Sequence, residues 1–292
     1  MKTVRLLTLG NSFANDALTY LEDIAHSSGL AEFVVGRANI GGCSLERHWN
    51  LSRYTARVPD HKTYQLGTGP DGEKREMSLQ AALQDDRWDI VTLQQVSSES
   101  WLPETFEPYL GNLVALVSEL APTAAIALHQ TWSYRADSTF FPEHNITQRR
   151  MFEGIRDTYA RFAEQYKCHV LPSGEAVQAV REAPGKSFVW PEPGFDHPNA
   201  VAPELPRQAN SLAVGWYWQI NGNRRGIPTL LNDPNHLNKR GCYLIGCVWF
   251  ERMTGVDARL ASFVPEVIEP DDAAWLREMA HEVCSRYPAI GV

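Results

Sequence analysis

The strongest constraint on the fold is a regular alternation of short apolar runs with segments that have helical periodicity. Apolar residues recur at helical spacing between the runs, which is typical of amphipathic helices. Strands that alternate with helices predict a parallel sheet covered on both faces. We therefore expect an α/β protein, a three-layer α/β/α sandwich with a mainly parallel, flavodoxin-like, five-stranded sheet. The predicted strands are residues 4–9, 33–38, 89–94, 124–129 and 168–171.

Length and composition are those of an ordinary globular protein. The chain has 292 residues, of which 43% are hydrophobic and 21% charged, enough for a sizeable core. No linker or repeat divides it, so we predict one domain over residues 1–292. Two segments break the alternation, 51–78 and 184–210, and we predict excursions there. Such segments are binding loops or lids in some proteins and surface decoration in others.

Charge and hydropathy exclude two classes of partner. The net charge of −8 argues against nucleic acid, which requires a basic face. No stretch approaches the ~20 apolar residues of a membrane span. A signal-peptide core is also missing at the start, so we expect a cytoplasmic protein as the sequence stands, or a periplasmic or secreted one if a leader was removed. The five cysteines form no CxxC pair, which makes a disulfide framework or a zinc site unexpected.

The first predicted strand runs directly into a serine. In "LLTLGNSFAND", residues 6–16, Ser12 follows Gly10 and Asn11 at the carboxyl end of the strand. Ligands of open parallel sheets bind beyond this edge. The helix that follows would offer free N–H groups and its positive dipole end to a developing oxyanion. A serine becomes nucleophilic only when a base removes its proton, so a histidine is required.

The segment "NDPNH" supplies a candidate base. Asp233 precedes His236 by three residues, just before an apolar helical pattern. On one turn, the carboxylate would accept the Nδ1 proton of the imidazole and leave Nε2 free for a nucleophile. The alternative is that Asp233 caps the helix and His236 lies on the surface. The motif alone is too short to decide between them.

Other motifs are absent or incomplete. Position 14 is alanine, so the G-x-S-x-G elbow fails. No G-x-G-x-x-G or P-loop follows the first strand, so neither a dinucleotide nor another cofactor is predicted. His48 and His129 lack partners at metal-ligand spacing. We interpret both as local hydrogen-bonding residues, and we predict no metal.

Taken together, the early "GNS", the late "DPNH" and the alternating pattern resemble the SGNH (GDSL-type) hydrolase superfamily, in a divergent bacterial branch similar to carbohydrate esterases. The resemblance implies that Ser12 is the nucleophile, His236 the general base and acid, and Asp233 the residue that orients it. It also implies an oxyanion hole built from the backbone N–H of Ser12 and of a glycine after the second strand. In "NIGGCSLERHW" Gly42 matches that glycine better than Gly41.

The segment after the third predicted strand departs from the usual pattern of the family. The family places there an asparagine whose amide completes the oxyanion hole, but this chain has "VTLQQVSSES". A glutamine can donate the same amide N–H, so Gln94 or Gln95 could substitute. We favour Gln94 because it ends the apolar run directly. Asn11 and Phe13 replace the usual aspartate and leucine, which puts the substrate in doubt more than the chemistry.

Aromatic residues near the predicted strand ends give the only indication of a substrate. Trp132, Tyr134 and Trp49 are candidates for flat platforms that suit sugar rings, although large aromatics also cover sheet edges. We therefore expect a serine esterase that removes short acyl groups (acetyl) from a small-molecule or carbohydrate ester through an acyl-enzyme. Two alternatives stay open: a non-catalytic carbohydrate-binding relative, and an acyltransferase with the same triad.

Overall fold

The computed structural model describes residues 1–67, 75–188, 192, 194–220 and 226–291. Within these ranges the strands are β1 (Lys2–Gly10), β2 (Ala31–Asn39), β3 (Tyr64–Leu66), β4 (Arg75–Met77), β5 (Ile90–Leu93), β6 (Ala125–His129), β7 (His169–Leu171), β8 (Ala213–Gln219) and β9 (Thr229–Leu237). The helices are α1 (Ser12–Leu18), α2 (Leu21–Ser28), α3 (Leu45–Arg57), α4 (Leu79–Gln84), α5 (Tyr109–Leu120), α6 (Phe140–His144), α7 (Gln148–Tyr166), α8 (Ser173–Glu182), α9 (Lys239–Thr254) and α10 (Pro270–Cys284).

The central sheet has five strands in the order β2-β1-β5-β6-β7, and every neighbouring pair is parallel. This is the flavodoxin-like order, so the predicted fold class is confirmed. Gly10 pairs with Asn39, and Leu9 pairs with Leu93. The carboxyl ends of β1, β2 and β5 therefore meet at one edge of the sheet. This is the topological switch point, because β2 lies on one side of β1 and the later strands lie on the other.

The sequence explains why these elements form. Val4, Leu6, Leu7 and Leu9 of β1 are at most 1% exposed, as expected for a central parallel strand covered on both faces. Helix α9 is buried nearly all round, which is typical of a helix inside a large core. Side-chain caps fix the starts of five helices: Asn11 for α1, Ser44 for α3, Ser78 for α4, Thr147 for α7 and Asn238 for α9.

One element beside the sheet differs from the prediction: the helix predicted after the first strand is two helices, α1 and α2, separated by Thr19 and Tyr20. The segment 51–78 begins inside α3 and continues into the antiparallel pair β3–β4, and residues 68–74 lie outside the described residues. In 184–210, residues 189–191 and 193 also lie outside them, and a short 3-10 helix spans His197–Asn199.

The antiparallel ribbon β8–β9 is an addition that the sequence pattern does not predict. It places "NDPNH" at the end of a strand instead of on a helical turn. Among the described helices, none is long and apolar enough to cross a membrane. The five cysteines are all free thiols.

Candidate active site

Ser12 is the first residue of α1 and follows a glycine that packs closely against neighbouring side chains. A Cβ on Gly10 would lie 2.7 Å from Oε1 of buried Gln94, so a larger residue there would displace that side chain. The Asn11 side chain caps α1 by accepting from the Phe13 N–H (3.0 Å). Its amide nitrogen donates to the Cys43 carbonyl (3.1 Å). The serine turn is thereby joined to the turn that follows β2.

His236 is presented by a bulge in the β8–β9 ribbon. Ala213 pairs with Leu237 and Gly215 pairs with Asp233, so three residues of β9 (234–236) oppose one of β8. Asp233 Oδ1 closes this bulge by accepting from the backbone N–H of Asn235 (3.1 Å) and of His236 (3.0 Å). The predicted helical turn is wrong, because the bulge supplies the local reversal that brings the imidazole back to its own carboxylate.

The three residues predicted to be catalytic lie in one hydrogen-bonded line. Ser12 Oγ is 2.8 Å from His236 Nε2. On the other side of the ring, His236 Nδ1 is 2.8 Å from Asp233 Oδ2. With the Nδ1 proton held by the carboxylate, Nε2 accepts from the serine hydroxyl. All three side chains are partly exposed, so a ligand can reach them.

The charges of this line are arranged to favour a basic imidazole. The hydrogen bond from His236 to Asp233 raises the pKa of the imidazole above its ordinary 6.5, against the effect of burial. Burial by itself would raise the pKa of Asp233, but the bonds from the side chain and backbone of His236 outweigh it and leave that pKa below its usual value. Asp233 therefore stays ionised next to a protonatable ring.

Asp16 is part of the site, although no motif in the sequence marks it. It lies one turn after Ser12 on α1, and its Oδ2 accepts from the backbone N–H of Leu237 (3.0 Å). Burial raises the pKa of Asp16 to about 6, and its charge in turn raises the pKa of His236. The i, i+4 spacing from Ser12 is visible in the sequence. The contact between this carboxylate and β9 is not visible there, because it joins residues far apart along the chain.

Two backbone amides are free to receive an oxyanion. Cys43 N–H donates to the Ile40 carbonyl (3.1 Å), and Gly42 has a φ of +61°, as in a type II turn with glycine at its third position. The N–H groups of Ser12 and Gly42 donate to no partner within the part of the chain that the structure describes. Because Asn11 joins the two turns, both donors belong to the same edge of the sheet.

The two glutamines are engaged in internal hydrogen bonds. Gln95 accepts from the N–H of Leu45 and of Val96, and its amide donates to Thr105. The alternative assignment of Gln95 to the oxyanion hole is therefore contradicted. Gln94 is buried and its Nε2 donates to Asn11 Oδ1 (2.7 Å), so its amide supports the serine turn, and the favoured assignment of Gln94 to the oxyanion hole is not supported either.

Burial contradicts the expectation that Trp132 and Tyr134 form a platform for a ligand. Trp132 is 0% exposed, stacks on Phe13 with ring centroids 4.1 Å apart, and donates its indole N–H to the Asn235 carbonyl (2.8 Å). Tyr134 is 4% exposed and hydrogen-bonds Ser97. Both are buried residues that support the site and do not face a ligand. Trp49 is partly buried against the core.

His48 and His129 form local hydrogen bonds, as predicted from the sequence. Buried His48 lies between the Tyr64 hydroxyl (2.8 Å) and the Gly10 carbonyl (3.0 Å). Buried His129 contacts Gln94 Oε1 (3.1 Å). Among the described residues, Glu251, Asp257 and His281 could together hold a metal ion, but Arg259 already pairs with Asp257.

The chain is similar to known families and structures over most of its length. A family model described as a domain of unknown function (DUF4886) matches residues 5–187. The crystal structure of a DUF4886 family protein from Bacteroides uniformis ATCC 8492 is 28% identical, with a TM-score of 0.72 over 97% of this chain and 95% of that one. A candidate SGNH hydrolase from Slackia heliotrinireducens is 18% identical, with a TM-score of 0.51 over 86% of this chain and 98% of that one.

Among proteins of curated function, none matches the chain. The resemblance to the SGNH superfamily is confirmed in the fold, since a candidate SGNH hydrolase shares it over nearly its whole length.

Asp16→Ala removes the acceptor of the Leu237 N–H and leaves this amide unpaired. Asp16→Asn keeps an oxygen at the same place and removes the buried charge, which folding disfavours at neutral pH because it raises the pKa of Asp16 to about 6, so this variant should be at least as stable as the wild type. We expect the free energy of unfolding of Asp16→Ala to lie about 1–3 kcal/mol below that of Asp16→Asn, the usual cost of an unsatisfied buried group. Urea denaturation of the three proteins measures the difference. An Asp16→Ala protein as stable as Asp16→Asn would contradict the role of this hydrogen bond.

Proposed function

The chain belongs to the DUF4886 family, and on that premise we propose that it is a serine esterase that hydrolyses short-chain acyl esters. One observation carries the proposal: Ser12, His236 and Asp233 form a continuous line with both contacts at 2.8 Å. A nucleophile within reach of a base that is oriented by a carboxylate is the arrangement of acyl-transfer enzymes on several unrelated folds.

The mechanism follows from the proton positions. Ser12 Oγ attacks the acyl carbon while His236 Nε2 takes its proton, and Asp233 stabilises the imidazolium. The carbonyl oxygen becomes an oxyanion that the N–H groups of Ser12 and Gly42 can receive. His236 then protonates the leaving alcohol, and the acyl group remains on Ser12. A water molecule, deprotonated by His236, releases the acid and restores the serine.

The same geometry bears on the alternatives. A non-catalytic relative would have no need to keep a hydroxyl, an imidazole and a carboxylate in register, so the 2.8 Å contacts favour catalysis. Transfer to an alcohol uses the same groups as hydrolysis, since the acceptor takes the place of water. No observation in the site favours transfer, and we therefore propose hydrolysis.

A carbohydrate remains the proposed alcohol, with a different aromatic surface in support. Trp216 of β8 is partly exposed and pairs with Asn232, one residue before Asp233. Its ring contacts His197, and the His197 ring contacts Phe195. Rigid aromatic faces next to a catalytic strand suit the apolar faces of sugar rings.

Ser12→Ala should abolish ester hydrolysis, because no other group in the line can form the acyl-enzyme. With p-nitrophenyl acetate we expect kcat/KM to fall by roughly 10³ or more. Acetylated sugars and longer p-nitrophenyl esters, assayed on the wild type, define the alcohol and the acyl length.

Ser285→Ala is the matched control, since Ser285 is exposed at the end of α10. Equal rates in wild type and Ser12→Ala, or no turnover of any ester, would refute the esterase proposal. Acyl transfer to an added sugar in preference to water would favour the transferase.

The pH dependence of hydrolysis should report His236. Only the neutral imidazole can accept the serine proton, so kcat/KM should fall as the pH drops through a pKa above 6.5. Asp233→Asn removes the bond that raises this pKa, and the acid limb should move to lower pH with a reduced plateau. Asp16→Asn should move the limb in the same direction with a smaller loss of plateau. Limbs at the same pH in all three proteins would contradict this assignment.

Gly42→Ala should damage the proposed oxyanion hole. A β-carbon in the left-handed region costs about 1–2 kcal/mol, so the turn reorients and the amide leaves its position. We expect kcat to fall by up to about 10²–10³. Gly41→Ala is the matched control, because a Cβ there meets nothing within 4 Å and the φ of Gly41 lies outside the left-handed region. Equal kcat values for the two variants would exclude Gly42 from the oxyanion hole.

A further inference from the structure

A cavity of about 280 Å³ lies between the start of α7 and the end of α8, and no triad residue lines it. Its lining is rich in guanidinium groups and side-chain amides, with one aromatic ring. The residues are Arg135, Ala136, Gln148, Arg149, Gln178, Arg181, Glu182, Ser187 and Phe188. At about 30 Å³ per water molecule, the space would hold about nine waters, or a ligand of about ten non-hydrogen atoms.

Two of the three arginines in this lining form ion pairs with carboxylates. Arg135 is 2% exposed and forms a bidentate pair with Asp137, with both contacts at 2.6 Å. Arg149 pairs with Glu153 (2.9 Å) and with Glu182. The carboxylate of Glu182 also accepts from Gln178 (2.8 Å), so it is already occupied.

Arg181 is the exception. Its Nη1 donates to the carbonyl (2.7 Å) and the hydroxyl (3.1 Å) of Ser133. Within the described residues no carboxylate lies within 4 Å of its guanidinium, and Nε and Nη2 have no partner. Burial and the neighbouring Arg135 lower the pKa of Arg181 to about 10, which leaves it protonated at neutral pH.

A partly buried cation without a counter-ion is unfavourable unless an anion is bound beside it. We propose that this cavity is a binding site for a small oxyanion, a carboxylate or a phosphate, which Arg181 holds through its free N–H groups. The planar fork of a guanidinium matches both oxyanions. Phe188, which lies over Arg135 at 4.3 Å, forms an apolar wall for the remainder of the ligand.

The site adjoins the strand that carries Asp233. The backbone N–H of Arg135 donates to the Pro234 carbonyl (2.8 Å), and its guanidinium donates to Asn232 Oδ1 (3.2 Å). A Cβ on Gly215 would lie 2.0 Å from Arg135 Nη1, so the side chain is packed against the ribbon itself. The oxyanion would therefore bind next to Arg135, which contacts β9 at the two residues on either side of Asp233. Its binding does not require that the esterase proposal be correct.

Calorimetric titration of the full chain with sodium malonate and with sodium phosphate tests the proposal, at an ionic strength held constant with NaCl. We expect saturable 1:1 binding of at least one anion to the wild type. Arg181→Gln should bind it about 10–100-fold more weakly, as expected for a lost charged hydrogen bond. The preferred titrant distinguishes a carboxylate ligand from a phosphate.

Two further variants complete the design. Arg156→Gln removes an exposed guanidinium from helix α7, outside the cavity, and should bind like the wild type. Ala136→Trp changes an exposed residue of the lining and should obstruct the cavity, which keeps the test decisive if Arg181→Gln does not fold. No saturable binding of either anion, or equal binding by the wild type and by whichever cavity variants fold, would overturn the proposal.

Discussion

The side chain of Asn11 is the interaction on which the candidate site depends. Its oxygen accepts from the Phe13 N–H and from Gln94, and its nitrogen donates to the Cys43 carbonyl. One buried amide thus joins the turns after β1 and β2 to the end of β5. Because a buried amide is costly when unpaired, these three contacts are satisfied together or lost together. The position of Ser12 follows from that junction.

His236 is held with comparable redundancy, although it lies on a ribbon outside the central sheet. Three contacts from two parts of the fold, the loop after β6 and helix α1, fix the backbone of its neighbours: the Arg135 N–H donates to Pro234, the Trp132 indole donates to Asn235, and the Asp16 carboxylate accepts from Leu237. Catalytic groups need such support, since a displacement of about 1 Å can cost about 10² in rate. The buried tryptophan, expected to face a ligand, is better understood as part of this scaffold.

Much of the fold could be predicted because its signals are local. Apolar runs and helical periodicity mark the five sheet strands to within two or three residues, since a strand buried on both faces must be apolar throughout. The β8–β9 ribbon could not be predicted in this way. Its strands contain Asn232, Asp233 and Pro234, which are unfavourable in strands. They are tolerated here because Asn232 donates to Asp137 and the Arg135 N–H donates to the Pro234 carbonyl at the bulge.

The sequence by itself determined the order of the elements, the glycine turns and the candidate triad, because each depends on residue type and spacing along the chain. Tertiary structure alone decided which groups meet across the fold. It placed Asp16 against Leu237, engaged Gln95 in internal hydrogen bonds, and left Arg181 in the cavity lining with no carboxylate of the described residues within 4 Å of its guanidinium. The physical reason is that hydrogen-bond partners and desolvation are set by neighbours in space, which one sequence does not encode locally.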